Sequence, residues 1–246
     1  MRQSRPHVAL GLLIAVLAAP AASAQSHEAS GPQSPIDIDR AHSCVAALPP
    51  LVLARRSPVT EVWRNTGSPD HEATIRVSAD PPAGTLELDG KSYELRQYHF
   101  HTPAEHRIDG AVAAMEIHYV FEAADGSLAV VARLVDEGAA SAEFDPLLAA
   151  MPSGRDMSVT IHSADPLGHV LRPWLERPRT FRYLGSLTTP PFTTGVNWIV
   201  LADRITFSGA QMARFKNIFP HGNIRPVQPI EGRTVRTDVA GFSRPC

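Results

Sequence analysis

The sequence predicts a mainly β fold of mixed α+β type, one domain of sheet with a few short peripheral helices. Three observations carry that expectation. Short apolar alternations of period two run through most of the chain, the period at which successive side chains take opposite faces of a strand. Proline and glycine punctuate them, as at Pro49-Pro50, Pro81-Pro82 and Pro190-Pro191, residues that suit loops, edges and strand starts. Helical spacing is confined to 143–150 and 209–219, with Ser208 a candidate cap.

Taken in order, the clearest element is a hairpin. Thr85-Leu86-Glu87-Leu88 alternates, Asp89-Gly90 follows, and Lys91-Ser92-Tyr93-Glu94-Leu95 alternates again. Asp-Gly between two such runs marks a two-residue turn, since both turn residues need φ > 0. Continued parity would put Tyr93, Leu95, Gln97, His99 and His101 on one face. Thr102-Pro103 ends that strand. Further strands are expected at 115–121, 128–135, 159–161 and 196–202. No internal repeat or low-complexity linker divides the 246 residues, so one large domain fits.

Residues 1–24 read differently. Arg2, Arg5 and His7 precede an apolar run from Val8 to Ala19, then Pro20 and the small-residue pattern Ala22-Ser23-Ala24. This is the pattern of a secretory signal peptide cut after Ala24; a membrane anchor is the alternative, but the run is short for a span. Residues 25–32 form a flexible lead-in, and 33–246 the folded domain. Removing Arg2 and Arg5 leaves 23 − 2 = 21 basic against 25 acidic residues, a net of −4. That balance points to neither nucleic acid nor an anionic membrane as partner. Export permits disulfides. Cys44 and Cys246 are the two cysteines, and one bridge or two free thiols both remain open.

The histidines carry the chemistry. His99 and His101 lie two apart and share a face, and His118 on a neighbouring strand can meet them. Three imidazoles with a fourth position open is the arrangement of a catalytic zinc site. A ligating histidine normally donates its second N–H to a carbonyl, amide or carboxylate. Gln97 and Glu116 stand two residues before His99 and His118, so they are natural partners; the bland reading is an ordinary polar strand residue. The constrained loop Gly185-Ser186-Leu187-Thr188-Thr189-Pro190-Pro191 offers hydroxyls, and Glu105 a carboxylate to hold one of them.

These segments together resemble the alpha-class carbonic anhydrases, in the secreted bacterial form. The matching blocks are Gln33-Ser34-Pro35-Ile36-Asp37-Ile38, residues 97–106, Glu116-Ile117-His118, residues 185–191, Asn197-Trp198-Ile199-Val200-Leu201 and residues 223–229. They occur in family order. The resemblance implies a large twisted, mostly antiparallel sheet. It implies one zinc ion per chain held by His99, His101 and His118, and reversible hydration of carbon dioxide to bicarbonate by attack of zinc-bound hydroxide. Thr188 would orient that hydroxide and donate to Glu105. Thr189 would lie near bicarbonate. Val120, Val130, Leu187, Val196 and Trp198 would form the wall on which carbon dioxide rests, though all five could be plain core. Asn223 would offer its backbone carbonyl to His101.

The chain departs from the family pattern in three places. Family members carry some tens of residues before the Gln-Ser-Pro-Ile block, whereas about eight separate the expected cleavage site from Gln33. Apolar surface exposed there would favour a homodimer. Phe192 stands where secreted bacterial relatives carry a cysteine, so their usual bridge cannot form. Ser68 occupies the usual place of the proton-shuttle histidine, and His71 is the candidate substitute; a solvated loop histidine is the alternative. Two rival functions stand beside hydration: a non-catalytic binding protein of the same fold, which would be expected to lack a zinc histidine, and a zinc esterase.

Overall fold

The computed structural model describes residues 31–67, 73–142, 144–163, 179–239, 241–242 and 244–246. The expected signal peptide, most of the lead-in and His71 lie outside these. The first strands are β1 (Asp37–Ile38), β2 (Ser43–Val45), β3 (Val52–Arg55), β4 (Val59–Asn65), β5 (Ile75–Asp80), β6 (Gly84–Leu88) and β7 (Lys91–His101). After them come β8 (Arg107–Ile108), β9 (Ala111–Val112), β10 (Met115–Ala123), β11 (Leu128–Glu137), the helix α1 (Asp145–Ala149) and β12 (Ser158–Ser163). The chain closes with β13 (Thr180–Ser186), β14 (Thr194–Phe207), the helix α2 (Gly209–Ile218) and β15 (Val235–Thr237).

Twelve strands form one sheet whose main path runs β12-β4-β5-β7-β10-β11-β14-β13-β15-β2, with β6 beside β7 and β3 beside β6. Its ladders are antiparallel except β11 with β14 and β15 with β2. The expected fold class therefore holds. The β6–β7 turn is as the sequence predicts, with Asp89 at φ 51° and Gly90 at φ 75°. At α2, Ser208 Oγ accepts from the Gln211 N–H at 3.2 Å while Gln211 Oε1 accepts from the Ser208 N–H at 3.1 Å. This reciprocal cap is the reason the helix begins there.

One expectation fails in an instructive way. Tyr93 and Leu95 do not share a face with the histidines. Gln97 pairs with Val120 but Leu95 pairs with Phe121, so Arg96 is an extra residue on β7. This bulge shifts parity by one. Tyr93 and Leu95 then join Tyr98 and Phe100 in the larger apolar cluster, while Gln97, His99 and His101 turn to the other face. Without the bulge a strand with Tyr93 and Leu95 inside would have buried His99 and His101 among them.

Each face of the sheet has its own core. On one side, Trp63, Phe100, Phe121 and Phe207 are fully buried, and α2 packs onto this cluster through its own buried Phe215. Each such side chain contributes about 1.5–3 kcal/mol by leaving water. On the other side, Ile36, Ile38, Val130, Phe181, Val196, Trp198 and Val200 form the second cluster. Cys44 and Cys246 are bridged, with Cα atoms 5.0 Å apart, which resolves the two options left by the sequence. Closing a loop of 202 residues removes on the order of 5 kcal/mol of chain entropy from the unfolded state. The bridge fastens the C-terminus beside β2, where Cys246 N–H also donates to Val45 O at 3.2 Å.

Candidate metal centre

Antiparallel pairing of β7 and β10 brings the three histidines together. His118 stands directly opposite His99, and Glu116 opposite His101; residues so paired project from the same face. Ring centroids are 4.9 Å apart for His99 and His101, 5.3 Å for His99 and His118, and 4.5 Å for His101 and His118. One ligand atom from each lies within 4.8 Å of the others.

The outward nitrogen of each ring is tied down. His99 Nδ1 donates to Gln97 Oε1 at 2.8 Å, and His101 Nδ1 to the Asn223 carbonyl at 2.8 Å. His118 uses the other nitrogen: its Nε2 donates to Glu116 Oε1 at 2.8 Å. The nitrogens left facing the centre are therefore Nε2, Nε2 and Nδ1. Burial, reinforced by the neighbouring rings, holds His99 well below the ordinary imidazole range. Burial likewise lowers His101 and His118, against the hydrogen bonds that oppose it. All three rings are thus neutral at neutral pH, as metal ligation requires. His101 Nε2 is buried and has no hydrogen-bond partner, a cost that a metal ion on this nitrogen removes. The donor set fits zinc.

Glu116 is the hub behind the ligands. Its Oε1 also accepts from His106 Nδ1 at 2.7 Å, and its Oε2 accepts the backbone N–H groups of Glu105 and His106, both at 2.8 Å. Burial pushes the carboxyl up, but His106, His118 and their hydrogen bonds outweigh it and hold Glu116 well below the usual range. His106 Nε2 continues to Tyr183 Oη at 2.7 Å, and Tyr183 Oη to Ser34 Oγ at 2.9 Å. No sequence pattern singles out this chain of groups, because its members lie 77 and 149 positions apart. Membership of His106 and Ser34 in the matching blocks is the one signal the sequence carries for them.

The threonine loop is braced from two directions. Ser186 N–H donates to Ser34 Oγ at 3.1 Å, Ser34 N–H returns to Ser186 Oγ at 3.0 Å, and Trp198 Nε1 donates to Ser186 O at 2.8 Å. A Cβ on Gly185 would fall 2.1 Å from Ser34 Oγ, so this close approach requires glycine. Arg225 stacks on the Phe192 ring, 3.8 Å from its centroid, and its Nη1 donates to Ser34 O at 2.7 Å. Its backbone N–H donates to Glu105 Oε1 at 2.7 Å. Glu105 Oε2 stands 3.6 Å from His101 Nε2 and 3.8 Å from His118 Nδ1. Burial raises the Glu105 carboxyl to about 7, opposed by His118, Arg225 and the adjacent Thr188 hydroxyl.

The histidines open into a cavity of about 200 Å³. Val120, Val130, Leu187 and Trp198 line one wall, and Thr188 and Thr189 stand at the loop side. Val196, expected beside them on that wall, is fully buried in the second core cluster and is not among the lining residues. Thr74 and Arg76 also line the cavity, and nothing in the sequence marks them. Arg76 pairs with His99 across β5 and β7, a register that no local pattern reveals.

An open three-imidazole centre at the floor of a half-apolar cleft, on the face of a large twisted sheet, defines a class of protein built to act on a small molecule at a divalent metal. Known proteins agree. The family model described as eukaryotic-type carbonic anhydrase matches residues 22–239. A carbonic anhydrase of Klebsiella pneumoniae is 38% identical over 205 residues, 82% of this chain and 78% of the relative. One from Pectobacterium carotovorum is 36% identical over 203 residues, with the same coverage. Among solved structures, the alpha-carbonic anhydrase of Thermovibrio ammonificans, complexed with the inhibitor sulfanilamide, superposes with a TM-score of 0.75 at 31% identity, covering 83% of this chain and 86% of that one. The alpha-carbonic anhydrase of Photobacterium profundum gives 0.72 at 35% identity, covering 83% and 88%. The chain belongs to the alpha-type carbonic anhydrase family and is a carbonate dehydratase.

Proposed function

We propose that this chain hydrates carbon dioxide reversibly at a zinc ion held by His99 Nε2, His101 Nε2 and His118 Nδ1. The observation that carries the reading is the convergence of those nitrogens on one cavity while Gln97, Asn223 and Glu116 occupy the opposite nitrogens. Bound zinc supplies Lewis acidity and draws a nucleophile from water at neutral pH. The protein does the rest by positioning. Thr188 directs its hydroxyl proton to Glu105 and so presents a lone pair toward the reacting oxygen. Val120, Val130, Leu187 and Trp198 give an apolar, uncharged substrate a surface without competing hydrogen bonds, and Thr189 receives the product anion. His71 carries the proton out.

Treating the mature protein with a chelator abolishes hydration measured by stopped flow, and added zinc restores it. Full activity in protein shown to be free of metal contradicts the proposal. Hydration in weak buffer also rises on adding imidazole, because the outward proton step limits turnover. An imidazole-independent rate, together with unaltered kinetics in His71→Ala, removes His71 from the mechanism. The enzyme acts outside the cytoplasm after loss of residues 1–24. The Cys44–Cys246 bridge supports that placement, since such bridges persist in oxidising compartments. No helix among the described residues is long and apolar enough to cross a membrane.

A further inference from the structure

A second cavity of about 200 Å³ shares Trp198 with the metal-side cavity. Arg182, Asn197 and Ile199 reach it from β13 and β14. Strand alternation puts these on the face opposite Phe181, Val196 and Val200 of the metal-side core. Arg182 on β13 and Arg236 on β15 are direct partners in register, and both line this cavity. Like charges placed opposite each other across a ladder destabilise it. Among the described residues neither guanidinium has a carboxylate within salt-bridge distance, although Asp89 lines the same cavity. Arg182 Nε donates to Thr180 Oγ1 at 3.1 Å, which leaves the outer edge of its guanidinium open. Asp238 and Asp89 act on Arg182 only at longer range. Leu48, Pro49, Leu88 and Ile199 supply apolar lining to the same cavity.

We propose that this cavity binds a small organic carboxylate, its carboxyl group bridging Arg182 and Arg236 and its apolar body lying against Leu48, Pro49, Leu88 and Ile199. Planar guanidinium forks match a carboxylate through paired hydrogen bonds. Two arginines against Asp89 and Asp238 leave the neighbourhood close to neutral, which favours a monoanion over a doubly charged phosphate. The apolar lining selects an anion with a hydrocarbon portion over a bare inorganic one.

Phenylacetate is a suitable probe, titrated calorimetrically into the zinc-loaded protein. Arg182→Gln and Arg236→Gln should each weaken binding about tenfold, the loss of one charge-assisted hydrogen-bonding partner. His101→Ala should leave it unchanged, because His101 lines the metal-side cavity and not this one. Arg236 is exposed, so its replacement disturbs no core packing. With one of two opposed charges removed, the ligand-free melting temperature should not fall, whereas the rise induced by a given phenylacetate concentration should shrink. Three results overturn the proposal: no binding at millimolar phenylacetate, binding indifferent to both arginine variants, or binding lost in His101→Ala alone. Inorganic phosphate binding as tightly as phenylacetate refutes the assigned class.

Discussion

His101→Ala should strip the protein of zinc and reduce hydration to the uncatalysed rate. The ring it removes is buried and fixed. His101 Nδ1 is held by the Asn223 carbonyl, and Asn223 is itself locked by three hydrogen bonds of 2.8 Å, from its Nδ2 to Ala73 O and Phe100 O and from Thr102 N–H to its Oδ1. No neighbour replaces the lost nitrogen. Glu105 Oε2, 3.6 Å from His101 Nε2, belongs to a carboxyl that burial raises to about 7. It is therefore partly protonated near neutrality, and a protonated carboxyl is a poor substitute ligand. Metal analysis of the purified variant checks the outcome; zinc retained at one per chain would falsify the ligand assignment. Thermal unfolding controls for fold, since the small cavity left by the ring should cost far less than the whole stability.

Thr188→Ala should lower the hydration rate about 100-fold while zinc stays bound, the scale expected when a reacting group loses its orientation. Thr188 is buried, on a loop braced by Ser34, Trp198 and Arg225. Its removal leaves those braces intact, so the effect isolates the hydroxyl. Thr188→Ser keeps the hydroxyl and should recover most of the rate. Equal rates in wild type and Thr188→Ala, at equal zinc content, would remove the hydroxyl from the mechanism. A loss of zinc in Thr188→Ala would instead show that the loop supports the ligands and not the reacting oxygen.

Much of the site is legible in local spacing. His99 and His101 are two apart, and Gln97 is two before His99, so a single strand suffices to align them. Glu116 and His118 repeat that spacing on the next strand. The Asp89-Gly90 turn and the Ser208 cap are equally local. The bulge at Arg96 is not legible, because an extra residue is defined only against the partner strand. It decides which side of the sheet the imidazoles occupy. The chain of contacts from Glu116 through His106 and Tyr183 to Ser34, the register of Arg76 with His99, and the facing of Arg182 with Arg236 are hidden for the same reason.

The sequence by itself determined that three imidazoles can converge and that a threonine loop and a carboxylate accompany them, since alternation along a strand is fixed by backbone stereochemistry. Tertiary structure alone decided that Cys44 and Cys246 meet, that Val196 is fully buried in the second core cluster, and that two arginines share a second pocket. Those outcomes depend on register and strand order between segments far apart in the chain, where one residue of slip exchanges the faces and no local preference prevents it.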